Sequence, residues 1–377
     1  MTQSERMEFE VQIKKLLANR SVTDSHLRYA APIIFVKKPD TTLQMCVDYC
    51  ALNSIMVKDR YPLLYIEELL DKLHGARIFT KLDLASGYHQ VRVHSGDCHK
   101  TAFIVPDRFY EYKVIPFGLA NASAVFMYMI HRILHPHRRN AIVYLNDVLI
   151  FSRTLAEHKS HVEGVLQALW NDWLRLSETK CVFGTLEMLF VGFRVNRHGI
   201  HTEKKKVRAV QDWPTPKTPT KLHGFLGLAG YYRKFVPKFT HWVCLLHDLM
   251  AKPKNDYIWT SQHGDQFEDL KKALISVPVL ATLDREADFI LRTNTSDTAI
   301  GGVLAQKPLY EGRLMERPLG YFRGRSTWSR RGIQHTTESC LQSAQIWNIG
   351  PAMFMGENVP PSIRIMHCCS ISSEKIS

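Results

Sequence analysis

The 377 residues carry 49 Lys+Arg against 36 Asp+Glu, a net charge of +13, with 45% hydrophobic and 23% charged residues. Those fractions are what a soluble globular protein is expected to have, and the positive excess suits a polyanionic partner, nucleic acid before membrane. No apolar run approaches the roughly 18 residues of a membrane span. Eight cysteines without a CxxC pair argue against a zinc knuckle or disulfide framework and for a reducing compartment. The polar start Met1–Arg6 does not read as a signal peptide, so an intracellular, unsecreted protein is expected.

In chain order, Phe9, Ile13, Leu16 and Leu17 form a stripe that predicts an amphipathic helix over Met7–Asn19. Strands are expected at Ala31–Lys37 and Leu43–Asp48, around a turn at Pro39-Asp40. Lys37 and Lys38 sit where these strands meet, either as solvated turn residues or as phosphate contacts. A helix follows over Ile66–Leu73, stopped at His74-Gly75. The apolar strand Ile78–Asp83 then ends on a carboxylate and breaks at Ser86-Gly87, which is unusual for a core position. A helix is expected over Ser123–Leu134.

In Ala141–Ser152, two apolar runs flank the polar pair Asn146-Asp147, the pattern of strand, tight turn and returning strand. Asn and Asp favour turns for local hydrogen-bonding reasons, so a buried hairpin accounts for the stretch. The chemical reading is a carboxylate at the turn aimed at a metal ion, with Asp83 as its natural partner. Next comes a long helix over Leu155–Leu176 with His158 and His161 three apart, a metal-compatible spacing with no further ligand nearby to complete it. A hairpin follows at Leu189–Val195 with Gly199-Ile200, and then a Pro-rich linker at Trp213–Pro219. The helix predicted over Lys221–Phe235 interleaves Tyr231, Tyr232, Arg233 and Lys234. That pattern suits a nucleic-acid backbone and equally a plain amphipathic helix. A helix over Gln266–Ile275 precedes a new domain from Asp288, with strands at Phe289–Arg292 and Ile300–Leu304. Clear periodicity is lost from about Met353.

Seven motifs in order resemble the reverse transcriptases of gypsy-like long-terminal-repeat retrotransposons, as part of a Pol polyprotein. They are Met45–Asn53 (MCVDYCALN), Lys58–Leu63 (KDRYPL), Lys81–Gln90 (KLDLASGYHQ), Pro116–Ala122 (PFGLANA), the Ala141–Ser152 hairpin, Phe225–Tyr232 (FLGLAGYY) and Ala273–Leu280 (ALISVPVL). The resemblance implies an α+β right-hand polymerase followed by a partial RNase H-like α/β module. Its parts would be a lead-in over residues 1–30, fingers and palm over 31–200, thumb and connection over 201–284, and the RNase H-like module over 285–377. It also implies template-directed DNA synthesis on an RNA or DNA template–primer duplex, with deoxynucleoside triphosphates and two Mg²⁺ ions. No membrane partner is implied, and the oligomeric state stays open.

Carried over by position, Asp83, Asn146 and Asp147 would form the catalytic set, with Asp83 and Asp147 as metal ligands. Lys37, Lys38, Gln44, Tyr88, Phe117 and Gly118 would surround the nucleotide, Tyr88 as the gate against ribose 2′-hydroxyls. Phe190, Val191, Gly192 and Phe193 would be the primer grip. The sequence departs from the family at several of these places. Asn146 replaces the first of two hairpin aspartates, Gln44 a triphosphate-binding arginine, and Cys50 the arginine of Asp-Tyr-Arg. Ser123 and Met127 replace a proline and a glutamine. In the RNase H-like module Asn294, Cys340 and, in a looser alignment, Met366 stand where carboxylates are expected, so loss of hybrid cleavage is anticipated.

Overall fold

The structure is a computed structural model that describes residues 2–325 and 363–367. Short gaps fall at 28, 38–42, 60, 63–64, 107, 238, 253–255, 277–278, 285–286, 288, 297–298, 308, 311–312 and 315. Thr2 and Glu5 form a capping box at the start of α1 (Gln3–Ala18). The chain continues through β1 (Val22–Asp24), β2 (Ala31–Lys37), β3 (Leu43–Val47), α2 (Cys50–Ile55), α3 (Ile66–Asp71), β4 (Ile78–Asp83), β5 (Phe103–Val105) and β6 (Arg108–Tyr112). Then come α4 (Ala122–Ile133), β7 (Ala141–Tyr144), β8 (Asp147–Ser152), α5 (Leu155–Asn171) and β9 (Val182–Thr185). The remainder holds β10 (Glu187–Phe190), β11 (Phe193–Asn196), β12 (Gly199–Thr202), α6 (Lys204–Gln211), α7 (Pro219–Tyr231), α8 (Phe239–Met250) and α9 (Ser261–Ile275). Last are β13 (Phe289–Ser296), β14 (Ala299–Gln306), the two-residue strands β15 (Leu309–Tyr310) and β16 (Arg313–Leu314), β17 (Arg317–Arg325) and β18 (Ile363–His367).

These elements form two units, Met1–Leu64 with Ile78–Thr185, and Tyr65–Arg77 with Leu186–Ser377. In the first, a four-stranded antiparallel sheet runs β7-β8-β4-β9. The apolar runs that predicted β4, β7 and β8 supply its covered face: Leu82, Val143, Val148 and Ile150 pack with Phe126 and Ile130 of α4 and Val165 and Leu169 of α5. A second sheet, β1-β6-β5-β2-β3, builds its own core with Ile13 of α1, Val47, Tyr49, Phe103 and Tyr112.

In the second unit, α7, α8 and α9 bury Leu222, Phe225, Leu246, Phe267, Leu270 and Leu274, and the rings of Phe225 and Phe267 stand 4.6 Å apart. A three-stranded sheet β10-β11-β12 and a four-stranded sheet β17-β14-β13-β18 complete it.

Several boundaries differ from expectation for local reasons. The helix expected to reach Leu176 ends at Asn171, because Trp173 takes φ 58° and the Leu174 amide turns back to the Leu169 carbonyl. The helix expected over Lys221–Phe235 starts earlier, with Thr218 as cap and Pro219 in its first turn, and stops at Tyr231. Helices α6 and α8 were not expected. The run Lys204-Lys205-Lys206 obscures the short apolar face of α6, while Val243, Leu246 and Leu249 of α8 repeat at helical spacing. The helix expected over Ile66–Leu73 ends at Asp71 with Lys72 as its cap, and Gly75, at φ 72°, lies in the turn beyond it. Among the described residues no helix is long and apolar enough to cross a membrane.

Candidate active site

The two acidic places picked from the sequence meet. Strands β4 and β8 pair so that Asp83 lies directly opposite Asp147. Cross-strand partners share one face, with Cα atoms about 4.5–5.5 Å apart. The bend itself sits one residue earlier than the polar pair suggested. Tyr144 pairs with Asp147, so Leu145 and Asn146 are the two turn residues and Asp147 opens the returning strand. Leu145 holds φ 52°, the left-handed value such a turn demands of its first central residue, at a steric cost to a branched side chain. Its amide donates to the Met127 Sδ of α4 at 3.1 Å.

Asn146 is oriented by its neighbours. Its carbonyl accepts the Leu84 amide at 3.0 Å, while its side-chain Oδ1 is buried with no donor. That oxygen lies against Gly87, where a Cβ would collide with it and press on the Phe126 ring, so a larger residue at 87 would force the Asn146 side chain to shift. The end of β4 is pinned from the other side too. The Ser177 amide donates to the Asp83 carbonyl at 2.8 Å. Gln90 Nε2 donates to the carbonyls of Ala85 and Arg175 at 2.7 and 3.0 Å, and its Oε1 accepts from the Arg175 amide at 2.6 Å.

Each carboxylate already has a cation. Lys81, two residues before Asp83 and on the same face, places Nζ 2.8 Å from Asp147 Oδ2, with both side chains about a quarter exposed. Lys180 Nζ stands 3.8 Å from Asp83 Oδ1 and is 69% exposed, a weaker pairing. Two carboxylates facing two ammonium groups leave no net negative charge. Among the described residues no group of three or more His, Cys, Asp or Glu side chains could hold a metal ion. This donor set does not fit the pair of divalent ions that the resemblance implied. An amide oxygen at 146 brings no charge, and hard cations of this kind are held by clustered carboxylates. The histidine pair of α5 is not a metal site either. His158 lies between Thr80 Oγ1 at 2.7 Å and Ser152 Oγ at 2.9 Å, and His161 Nδ1 meets the same Ser152 hydroxyl at 2.8 Å.

Of the residues expected around a nucleotide, Tyr88 and Phe117 come together, ring centroids 5.2 Å apart, with Phe126 behind Tyr88 at 5.5 Å. Burial pushes the Tyr88 hydroxyl above its ordinary pKa. Gly118 adopts φ 97°, with the Val47 carbonyl 3.2 Å from where a Cβ would stand. Asn53, within the MCVDYCALN motif, holds this loop: its Nδ2 donates to the Gly118 carbonyl and its Oδ1 accepts the Ala120 amide, both at 2.8 Å. Lys37 and Gln44 are not brought together. Val36 pairs with Gln44 and Lys37 with Leu43, which puts the two side chains on opposite faces of the hairpin. Lys38 lies outside the described residues.

Phe190–Phe193 falls in the second unit as the tight turn between β10 and β11, with Val191 at φ 41° and Gly192 at φ 74°. Two hydroxyls from the end of α7 hold it, Tyr231 donating to the Val191 carbonyl and Tyr232 to that of Gly192 at 3.0 Å. Phe193 stacks on Tyr231 at 5.0 Å and Phe235 at 5.6 Å. The basic-aromatic interleaving singled out at Tyr231–Lys234 thus includes two anchors for this turn. In the last sheet Met366 of β18 pairs with Arg292 of β13, and Asn294 lies two residues further along β13. Cys340 lies outside the described residues.

Sequence reasoning missed Lys81, Lys180, Asn53, Gln90 and the two tyrosine hydroxyls as parts of these sites. Lys81 alone carried a usable signal, since i and i+2 on a strand share a face.

With this geometry in hand, comparisons with known proteins agree. A family model described as "Reverse transcriptase (RNA-dependent DNA polymerase)" matches residues 36–195. One described as "RNase H-like domain found in reverse transcriptase" matches residues 259–344, beginning just before α9. The Tf2-3 and Tf2-7 transposon polyproteins of Schizosaccharomyces pombe (strain 972 / ATCC 24843) are 39% and 38% identical over 297 residues, 78% of this chain and 22% of each polyprotein. The chain therefore matches only about a fifth of these relatives' length. Among solved structures, a foamy viral protease-reverse transcriptase in complex with dsDNA aligns with a TM-score of 0.83 at 21% identity, covering 97% of this chain and 75% of that one. The complex of that protease-reverse transcriptase with an RNA/DNA hybrid aligns with a TM-score of 0.78 at 19% identity, covering 100% and 56%. At these identities the likeness is one of fold.

Proposed function

The chain belongs to the reverse transcriptase family of retrotransposon polyproteins, and from that premise we propose that it grips a template–primer duplex but extends the primer very slowly. The duplex is RNA or DNA paired with DNA, and the nucleotides are deoxynucleoside triphosphates. One observation carries the slow step: the hairpin presents Asn146 where the family has an aspartate, and the remaining carboxylate of the hairpin, Asp147, is held by Lys81 at 2.8 Å. A unit charge about 4 Å away is worth ~4 kcal/mol at an effective dielectric near 20. Losing that from a transition state slows a reaction about a thousandfold.

Duplex gripping is supported by the +13 net charge, by the polymerase fold, and by neighbours solved on dsDNA and RNA/DNA hybrid. An intracellular setting is supported by the free cysteines Cys46, Cys50, Cys98, Cys181 and Cys244. The RNase H-like module is proposed to be inactive, because Asn294, Cys340 and Met366 stand at its carboxylate positions.

The test is primer extension on a poly-rA template in Mg²⁺ buffer, comparing the unaltered chain with Asn146→Asp. The substitution is expected to raise the extension rate by about three orders of magnitude. Robust synthesis by the unaltered chain overturns the reading. Failure of both proteins to shift a primed duplex on a gel overturns the gripping half of it.

A further inference from the structure

Within the first unit, the loop that carries Phe117 and Gly118 is held by two asparagine side chains reaching in opposite directions. Asn53 of α2 reaches into the loop, bonding the Gly118 carbonyl and the Ala120 amide at 2.8 Å each. Asn121 reaches back. Its Oδ1 accepts the Asp59 amide at 3.0 Å, and its Nδ2 donates to the Val57 carbonyl at 2.8 Å. Each side-chain amide thus uses its acceptor and one donor on the backbone of the other segment. The four bonds tie residues 53–59 to residues 118–121 across 62 to 67 positions of sequence.

Asn121 is the more telling of the two. It stands at the cap position of α4, where an asparagine ordinarily accepts an amide of the first turn, yet its side chain makes no capping bond. The side chain is turned to residues 57–59 instead, and the helix start goes without its cap. A local rule set aside for one distant contact marks a place where position matters more than helix stability.

What the clamp positions is the Phe117 ring. That ring lies between two residues of the KLDLASGYHQ motif, its centroid 5.2 Å from Tyr88 and 5.1 Å from His89. Tyr88 is backed on another side by Phe126 at 5.5 Å, and Phe126 is fully buried. The Phe117 side is the softer one. The ring is 39% exposed, and Gly118 beside it takes φ 97°. With little packing around the ring, its place depends on the hydrogen bonds that fix the backbone following it.

We propose that Asn53 and Asn121 are positioning residues for sugar selection: together they hold Phe117 against Tyr88 and so set how strictly the site refuses a ribose 2′-hydroxyl. This rests on the reading of Tyr88 and Phe117 as walls of a nucleotide site in the proposed polymerase. Neither asparagine touches the nucleotide. Both act through the Phe117 ring.

The experiment is primer extension on a poly-rC template with dGTP or GTP, in the Asn146→Asp background, where the proposed function places rapid synthesis. The readout is the ratio of kcat/KM for the two nucleotides. Asn53→Ala and Asn121→Ala are each expected to lower the preference for dGTP by about five- to tenfold. Mere loss of folded protein slows both nucleotides alike and leaves the ratio where it was. Ser54→Ala is the control, at an exposed neighbouring position whose hydroxyl donates to the Ala51 carbonyl. It is expected to move the ratio by less than about twofold. Phe117→Ala tests the route. Once the ring is gone, adding Asn53→Ala or Asn121→Ala should move the ratio by less than about twofold further. An unchanged ratio in either single asparagine variant overturns the proposal, as does full additivity with Phe117→Ala. If the Asn146→Asp parent itself extends no primer, the proposed function fails and this proposal falls with it. If the parent extends and the ratio holds, this proposal falls alone.

Discussion

At residue 146 the difference between an amide and a carboxylate decides whether the hairpin gathers positive charge. With Asn146 in place, Lys81 is the nearest cation to Asp147, and the pair satisfies itself at 2.8 Å. An aspartate at 146 would compete for that ammonium group and leave the face negative, which is the condition for gathering divalent ions. Paramagnetic Mn²⁺ is accordingly expected to leave the NMR signals of the β4–β8 residues unbroadened in the unaltered chain at millimolar concentration. It should broaden them in the doubly altered Asn146→Asp, Lys81→Met protein. Equal broadening in both would mean that the lysine pairing does not close the site. Gly87 offers a companion test. Gly87→Ala drives a methyl group into the Asn146 side chain and is expected to destabilise the first unit by about 1–3 kcal/mol in urea unfolding.

Among the elements, β10–β11 and α5 show how a strand or helix is placed by polar groups as well as by its apolar face. The β10–β11 turn needs φ above zero at both central residues, and only Gly192 meets that without strain. The Tyr231 and Tyr232 hydroxyls hold the two carbonyls that the turn exposes. Tyr232→Phe is expected to cost about 1 kcal/mol in chemical denaturation and to loosen the turn, read as faster amide exchange at Phe193.

For α5 the fixing group is His158, 3% exposed and held between two hydroxyls. Gly184 donates to Thr80, so a consistent proton order runs from Thr80 to His158, from His158 to Ser152, and from Ser152 to His161. Burial, then the neighbouring His161, holds the His158 pKa below its usual 6.5. The neutral ring is the folded form, so its contribution is complete above about pH 6.5 and is lost as pH falls through the lower folded value. The urea midpoint is expected to drop between about pH 7.5 and pH 5.5, and His158→Gln should flatten that slope.

Across the whole molecule, the +13 charge predicts that the proposed duplex binding depends on salt. Raising salt from about 50 to 200 mM should weaken binding by orders of magnitude, about 0.9 in log–log slope for each phosphate contacted. A Mg²⁺-dependent RNA–DNA hybrid cleavage assay should give no turnover, and measurable cleavage would overturn the proposed loss of RNase H activity.

Much of this chain was legible as sequence. Continuous apolar runs rich in β-branched and aromatic residues announced β4, β7 and β8, and an apolar stripe at helical spacing announced α1, because burial leaves its mark in the residue order. The expectation that Asp83 and the Asn146-Asp147 bend converge was also sound, since it needed only two strands of one sheet. Tertiary structure alone decided the rest. It put Leu145 rather than Asp147 in the turn, ended α5 at Asn171, turned Lys37 and Gln44 to opposite faces, and gave each carboxylate a lysine. These outcomes depend on register, backbone dihedrals and contacts between residues up to a hundred positions apart. A one-residue slip reverses every side chain of a strand, and nothing in local composition prevents it.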